Sequence, residues 1–496
     1  MKFNRPSIGN PALGGNVGFD DKSLDLLQGH LNKDDMEALK LFTLFNESMG
    51  RKLPDQYYQS GGIPIAAQLY NDATIYLQES HCRRHAALIG RTRVGKTTTT
   101  LGLSLDLFHR NNASLILIDK GDLIDNFLDL VDERPDSIIL IRVSDIGHPV
   151  GISLLQLTKY QREPIIGEII RLVNLTSSEK LTDRMAMLFR RVLRALLYWP
   201  DSTLADVALF LTNAKYRERI LSKVNDSELR YFWLEIYARD EKLYRSSTEG
   251  IIIRLEPILG DPAVRNILCQ RQTNIPLDDL VNSKRNFVLL LDLNTNGKIS
   301  PFVAEMLARV LLIIIHGLSL SRSLRNPKSI YLICDEIQCY LEPDILAEIL
   351  SRGVKYGLHL ICAFQYISQI GDLWAGIEGN VGSIFSFNVG ADDAQKLARA
   401  FPGVRAEEFI ELPRFHILGR VIDSHGTHCF KGRTFPPPVS RGIFTRQIIQ
   451  NARQKYARPR AEVEADFRKR MEQAMKSNAG KHSGLDKLIK KLDRFI

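Results

Sequence analysis

The sequence predicts an α/β protein: a three-layer core on a parallel sheet, with an all-α insertion domain and helical terminal extensions. Three observations predict it. Short apolar runs without polar alternation recur along the chain, the pattern of strands buried on both faces. A glycine-rich loop of the phosphate-binding type follows one run and opens a helix-compatible stretch. Between two blocks of such runs, residues 156–280 place apolar side chains at helical spacing instead.

Taken in order, residues 1–60 form an N-terminal extension. A lead rich in Pro and Gly (Pro6, Gly9, Pro11, Gly14, Gly15, Gly18) precedes Asp34-Asp35 and the periodic set Met36, Leu39, Leu41, Phe42, Leu44 and Phe45. Acidic residues opening such a set mark a helix start. The core occupies residues 61–155 plus 281–438. Its first strand runs are His85–Ile89, Ser114–Asp119 and Ile138–Ile141. The insertion, 156–280, has a clear helix with Met185, Leu188, Phe189, Val192, Leu193 and Leu196 on one stripe, broken at Trp199-Pro200. Strand runs resume at Phe287–Leu291, Ile330–Cys334, Leu358–Cys362 and Ile384–Phe387, and a shorter pair near 415–434 completes the sheet. Pro436-Pro437-Pro438 is a stiff end marker. The tail, 439–496, opens with a helical pattern around Ile448, Ile449 and Ala452 and closes with the stripe Leu485, Leu488, Ile489, Leu492, Ile496.

Composition narrows the class. Of 496 residues, 44% are apolar and 25% charged, the balance of a globular protein. The strongest apolar run, Val310–Ile315, stops at His316, short of the about 18 residues a membrane span needs. No apolar signal-peptide core opens the chain, so a cytoplasmic location is expected. The six cysteines make no C-x-x-C pair, which gives neither a disulfide framework nor a cysteine zinc site. Residues 441–496 hold 15 Lys+Arg against 6 Asp+Glu, so this tail carries the whole net charge of +9. Nucleic acid, an acidic protein or an acidic membrane surface would suit it. The terminal amphipathic stripe leaves peripheral contact with the inner face of the membrane open.

The chemistry starts at Gly90-Arg91-Thr92-Arg93-Val94-Gly95-Lys96-Thr97, which fits G-x-x-x-x-G-K-[ST]. Backbone N–H groups and the following helix N-terminus present positive charge to phosphate oxygens. Gly90 and Gly95 permit the tight turn, Lys96 reaches the β- and γ-phosphates, and Thr97 offers a hydroxyl to Mg²⁺. These residues and Thr98 make the expected nucleotide-binding set. The run Ile330–Cys334 ends in Asp335-Glu336. Beside a phosphate loop, Asp335 is expected to hold Mg²⁺ with Thr97, and Glu336 to polarise the attacking water. The next run leads to Gln365, placed on the same sheet edge as a sensor of the γ-phosphate.

Together these elements resemble the FtsK–HerA superfamily of ring-forming DNA-pumping ATPases, and within it the TraG/TraD-type coupling ATPases of conjugation. His85 before the loop, Asp119-Lys120-Gly121-Asp122, Arg254-Leu255-Glu256-Pro257 and Gly353-x-Lys355-x-Gly357-Leu358 follow that family's order. The resemblance implies a RecA-like phosphate-loop core, ATP with Mg²⁺, a hexameric ring, DNA as cargo, and a relaxase, secretion-channel or nuclease partner. It also implies an arginine reaching a neighbour's nucleotide. Val354 stands at the usual position for it, which leaves Arg352, Lys355 and Arg254, with Arg352 preferred for its bidentate guanidinium. The membrane helices that usually open coupling ATPases are not seen. The expected function is therefore a DNA-translocating ATPase of conjugative transfer coupled to type IV secretion. A HerA-like DNA-processing or protein-coupling ATPase is the alternative, and a slow nucleotide-gated scaffold a second.

Overall fold

A computed structural model describes residues 53–476 apart from 70–71, 157–161, 273, 300, 324, 326, 341–342 and 440. The predicted helix over 36–45 and the stripe Leu485–Ile496 lie outside the described residues.

The strands are β1 (Ile63–Gln68), β2 (Thr74–Leu77), β3 (Ala86–Ile89), β4 (Ser114–Asp119), β5 (Ile138–Arg142), β6 (Val288–Asp292), β7 (Ile330–Cys334), β8 (Leu358–Phe364), β9 (Ser383–Ser386), β10 (His416–Asp423) and β11 (Gly426–Arg433). They form one sheet in the order β2-β1-β11-β10-β9-β3-β8-β7-β4-β6-β5. From β9 to β5 every pairing is parallel. The other wing is antiparallel, so the sheet is mixed where a parallel one was expected. The strands β1 and β2 were not read from the sequence. Pro64 interrupts the first, and the ladder tolerates it at a register shift between Pro64 and Ala66.

The runs lack polar alternation because both faces of the sheet are covered. Ala87, Ile89, Ile116 and Ile118 join the apolar core on one face, and Ala86, Leu88, Leu115 and Leu117 join the core on the other. The Lys96–Arg110 and Leu123–Leu130 helices cover the second face with Leu101, Leu105, Phe108 and Phe127. The Pro301–Leu320 and Pro343–Arg352 helices cover the first. Leu311–Ile315 within Pro301–Leu320 are thus buried in protein, and among the described residues no helix is long and apolar enough to cross a membrane.

Between β5 and β6 the described chain has helices and no strand. Asp183–Leu196 has the predicted stripe, with Leu188, Phe189, Val192, Leu193 and Leu196 buried and Thr182 capping its start by accepting from Met185 N. The basic tail does not stand apart. Its Thr445–Lys455 helix lies along edge strand β5, where Lys455 pairs with Asp136 at 2.9 Å and Arg453 with Asp145 at 2.7 Å. Its Arg460–Lys476 helix then packs on the Pro262–Leu268 helix, and Arg470 meets buried Asp206. Several tail cations are therefore engaged by acids of the protein itself.

Candidate active site

The C-terminal ends of the parallel strands lie on one edge, and the residues singled out by the phosphate-loop argument gather there. The loop leaves β3 and enters the Lys96–Arg110 helix. Arg93 and Gly95 have positive φ, 62° and 122°. The loop is braced from the antiparallel side. Arg91 N donates to Asn388 O at 2.9 Å, and Phe415 N donates to Val94 O at 2.9 Å. A Cβ at Gly95 would come within 2.9 Å of Phe415 Cδ1, in a backbone conformation only glycine takes at low cost. Gly95→Ala should therefore abolish ATP binding, measured by the anisotropy of a fluorescent ATP analogue. Binding at wild-type strength would contradict this geometry.

Lys96 is buried, and its Nζ donates to Gly90 O at 2.5 Å and Arg91 O at 2.9 Å. Burial pushes its ammonium below the ordinary value, while the charges of Asp335 and Glu336 pull it back. Thr97 Oγ1 donates to Asp335 Oδ2 at 2.8 Å. Asp335 is buried, and burial holds its carboxyl above the usual carboxylate range against the Thr97 hydrogen bond and the Lys96 charge. A hydroxyl and a desolvated carboxylate side by side are the hard oxygen donors Mg²⁺ takes, so these residues fit that ion. Arg91, Thr92 and Arg93 are exposed on the loop, and Val94, Thr97 and Thr98 are half-buried.

Glu336 sits in the left-handed region, φ 60° and ψ 50°. Strain of this kind at a non-glycine persists where the surroundings hold it. Gln365 Nε2 donates to Glu336 Oε1 at 2.5 Å, and Gln338 Nε2 donates to Oε2 at 3.0 Å. The expected sensor thus touches the expected base. Gln338 was not foreseen, because nothing in a lone glutamine two residues on signals it.

Asp119 was read only as part of a family element. It ends β4, which pairs with β7 in a register that sets Ile118 opposite Cys334. Asp119 Oδ2 accepts from Leu123 N at 2.8 Å, starting the helix that follows. Burial pushes its carboxyl up to about 6, and Asp335 adds to the rise.

The three arginine-finger candidates are not beside this loop in the same chain. Arg352 ends the helix that leads to β8, and Lys355 lies in the turn after it, so both stand at the opposite, N-terminal edge of the sheet. Arg352 Nη1 lies 3.3 Å from Glu348. Arg254 is engaged within the helical region, donating to Glu179 O at 2.9 Å and Gly250 O at 3.1 Å and pairing with Glu179. No group of three or more metal-ligating His, Cys, Asp or Glu occurs among the described residues, and His81 stacks on Tyr57.

His85 and His359 hold the N-terminal edge. Leu360 N donates to His85 Nδ1 at 2.9 Å, and His359 lies 2.8 Å from Arg83 O and 3.2 Å from Ser329 Oγ. Burial pushes both imidazoles down to about 4. The unfolded chain binds their protons at higher pH than the native one does. Their contribution is complete above about 6.5 and is lost as pH falls through 4, on the order of 3 kcal/mol each. Urea midpoints should fall across that window, and less so in His359→Gln.

No protein-family model matches the chain, and no curated protein matches it in sequence. Solved structures do match. The bacterial conjugative coupling protein TrwB, in complex with the non-hydrolysable ATP analogue ADPNP, superposes with TM-score 0.55 at 13% identity, over 79% of this chain and 94% of that one. Its unbound form, lacking the N-terminal 70 residues, gives 0.54 at 12% identity over 79% and 92%. VirB4 of Thermoanaerobacter pseudethanolicus gives 0.52 at 13% identity over 77% and 98%. TrwB has also been solved with ADP and Mg²⁺. The chain has the fold of these proteins, a mixed α/β architecture of the RecA-like phosphate-loop type.

Proposed function

We propose, from the coupling-protein fold as premise, that this chain is an ATP-hydrolysing motor that binds and translocates DNA as a hexameric ring, in conjugative transfer coupled to type IV secretion. One observation carries the reading: the phosphate loop, Thr97–Asp335 and Glu336–Gln365 meet at one sheet edge, joined by direct hydrogen bonds. The nucleotide complexes of TrwB support ATP and Mg²⁺ as its ligands.

The loop N–H groups and Lys96 bind the β- and γ-phosphates, Lys96 exchanging loop carbonyls for phosphate oxygens. Thr97 and Asp335 hold Mg²⁺, which supplies charge neutralisation at the phosphates. Glu336, oriented by Gln365 and Gln338, accepts the proton of the attacking water. Gln365 joins this base to the end of β8, so a change at the γ-phosphate is felt by the strand. Arg352 or Lys355 of a neighbouring subunit supplies the trans cation, since both stand at the sheet edge remote from their own loop. Relaxase, secretion-channel and nuclease remain the partner classes, met in the cytoplasm or at the inner face of the membrane.

The test is ATP hydrolysis with and without single- and double-stranded DNA, with Lys96→Ala as control. DNA stimulation that disappears in the control is expected. Lys96-dependent hydrolysis indifferent to DNA, by a protein that sediments as a monomer, would remove the DNA motor. The exposed Val354 and the Arg352–Glu348 pair favour a second reading, a nucleotide-gated scaffold with slow turnover. Rapid turnover on DNA would exclude it.

A further inference from the structure

The parallel sheet has two chemically opposite edges. Carboxylates (Asp119, Asp292, Asp335 and Glu336) stand at its C-terminal edge with the phosphate loop. At the N-terminal edge, residues 83–85, 353–357, 321–329, 111–113 and 283–287 lead into β3, β8, β7, β4 and β6. These connections carry eight Lys or Arg and no Asp or Glu, while the connection into β5, residues 131–137, carries Arg134 with the acids Asp132, Glu133 and Asp136. The helices preceding β4, β6, β7 and β8 end at this edge. Each helix end contributes about half a negative charge, so together they offset about two of the eight cations.

Some of that charge fastens the loops. Arg322 donates to Tyr356 O at 2.6 Å, and Lys328 Nζ donates to Arg285 O at 2.5 Å. Arg83 pairs with Glu79. Fastening does not account for Lys284, Arg325 and Lys355. All three are exposed, and among the described residues none of them pairs with a carboxylate. Burial, with a smaller contribution from the neighbouring Arg322, pushes Lys328 down to about 8 against the charge of Asp279.

A cleft of about 360 Å³ opens beside these loops, lined by Arg134, Lys284 and Arg285 together with Asn111, Ser137 and Asn286. The carboxylate in its wall, Asp136, is held by Lys455 and Asn451. Arg134 pairs with Glu133, the Ser137 hydroxyl donates to Arg134 O and the Asn286 amide to Asn111 O, so Lys284 and Arg285 are the groups of this cleft that suit phosphate oxygens. An acidic lipid surface would also call for apolar side chains to insert. Of the exposed large apolar residues among those described, Val354 is the one on these connections.

We propose that this N-terminal edge, centred on Lys284, Arg285 and Arg325, is a surface that binds the nucleic-acid backbone. The proposal rests on the DNA-motor reading and adds the place of contact. The surface lies across the sheet from the chain's own phosphate loop; Lys355, assigned above to a neighbouring subunit's nucleotide, is left to that contact, and Lys284, Arg285 and Arg325 carry the DNA contact.

The test combines Lys284→Glu with Arg325→Glu and follows a fluorescent duplex by anisotropy across a salt series. A fluorescent ATP analogue and thermal melting serve as controls. Duplex affinity should fall tenfold or more, on the order expected for lost phosphate contacts, and the log–log salt slope should shrink by about two. ATP-analogue binding and melting should not change. If the charge reversal does not fold, Lys284→Ala with Arg325→Ala reads the same slope. Wild-type affinity and slope in the variant would overturn the surface and leave the motor reading standing. A wild-type protein that binds no duplex at low salt would overturn both. Loss of binding to phosphatidylserine vesicles, with duplex binding intact, would assign the edge to lipid and overturn the proposal.

Discussion

A Glu336→Gln protein should bind ATP as well as the wild type and hydrolyse it about a hundred- to ten-thousand-fold more slowly, the usual worth of a positioned general base. The substitution keeps the shape of the side chain and leaves Thr97–Asp335 and the Lys96 contacts in place. The capacity to take a proton goes, together with the negative charge and one of the two hydrogen bonds the carboxylate accepts from Gln365 and Gln338. Gln365→Ala should act in the same direction and less strongly. It removes one hydrogen bond to a charged acceptor, worth about 1.5–3 kcal/mol, or roughly ten- to a hundredfold in rate if the orientation of Glu336 is what it supports. Single-turnover hydrolysis alongside equilibrium binding of a fluorescent ATP analogue separates the two quantities. Equal loss of binding and turnover in Glu336→Gln would mean that the carboxylate helps hold the nucleotide, and would displace it from the role of base.

Arg470→Ala should lower the stability of the protein by about 3–5 kcal/mol, because it leaves the carboxylate of Asp206 without its cation in the interior. Asp206 is fully buried. Its remaining partners are Tyr216 OH at 2.6 Å and Thr203 N at 2.7 Å, which place the loss toward the lower end. Arg470 also donates to Thr203 Oγ1 at 3.1 Å, so one side chain ties the Arg460–Lys476 helix to the helical region twice. Urea unfolding gives the number. The pair Asp206→Asn with Arg470→Leu should recover part of the loss, since no uncompensated charge is then left inside. A change within about 0.5 kcal/mol for Arg470→Ala would be that of an ordinary surface position, and would mean that the helix is not docked in solution.

The tail shows where sequence reading stopped. Its charge excess is plain in composition and invites a partner made of phosphate or acid. The fold sends part of that charge inward, Arg453 to Asp145, Lys455 to Asp136 and Arg470 to Asp206. A net charge carries no information about which acids lie within reach. The basic N-terminal edge was hidden for the complementary reason. Lys284, Arg285, Arg325 and Lys355 come from separate connections in a chain with almost as many acids as bases, and only the strand order places them together.

The active site was more legible. The phosphate loop could be read because its physics is local: a buried strand, glycines and a helix start are consecutive in the chain. The Asp335-Glu336 pair could be read because a strand buried on both faces announces its end when charge appears. β1 and β2 escaped because an edge strand and a strand broken by Pro64 have neither the length nor the apolar content of a buried run. Gln338 and the Phe415 brace escaped because each acts through a single contact that no spacing encodes.

By itself, then, the sequence determined the α/β class, the loop that grips phosphate, and which carboxylates end the strands beside it. Each follows from neighbours in the chain, where hydrophobic burial and backbone conformation act over a few residues. Only the tertiary structure decided that Gln365 reaches Glu336, that Asp335 is desolvated against Thr97, and that Arg254 is engaged in the helical region. It also decided that Arg352 and Lys355 face away from their own loop. These depend on strand order and on which groups lose water together, and both are set by packing across hundreds of residues.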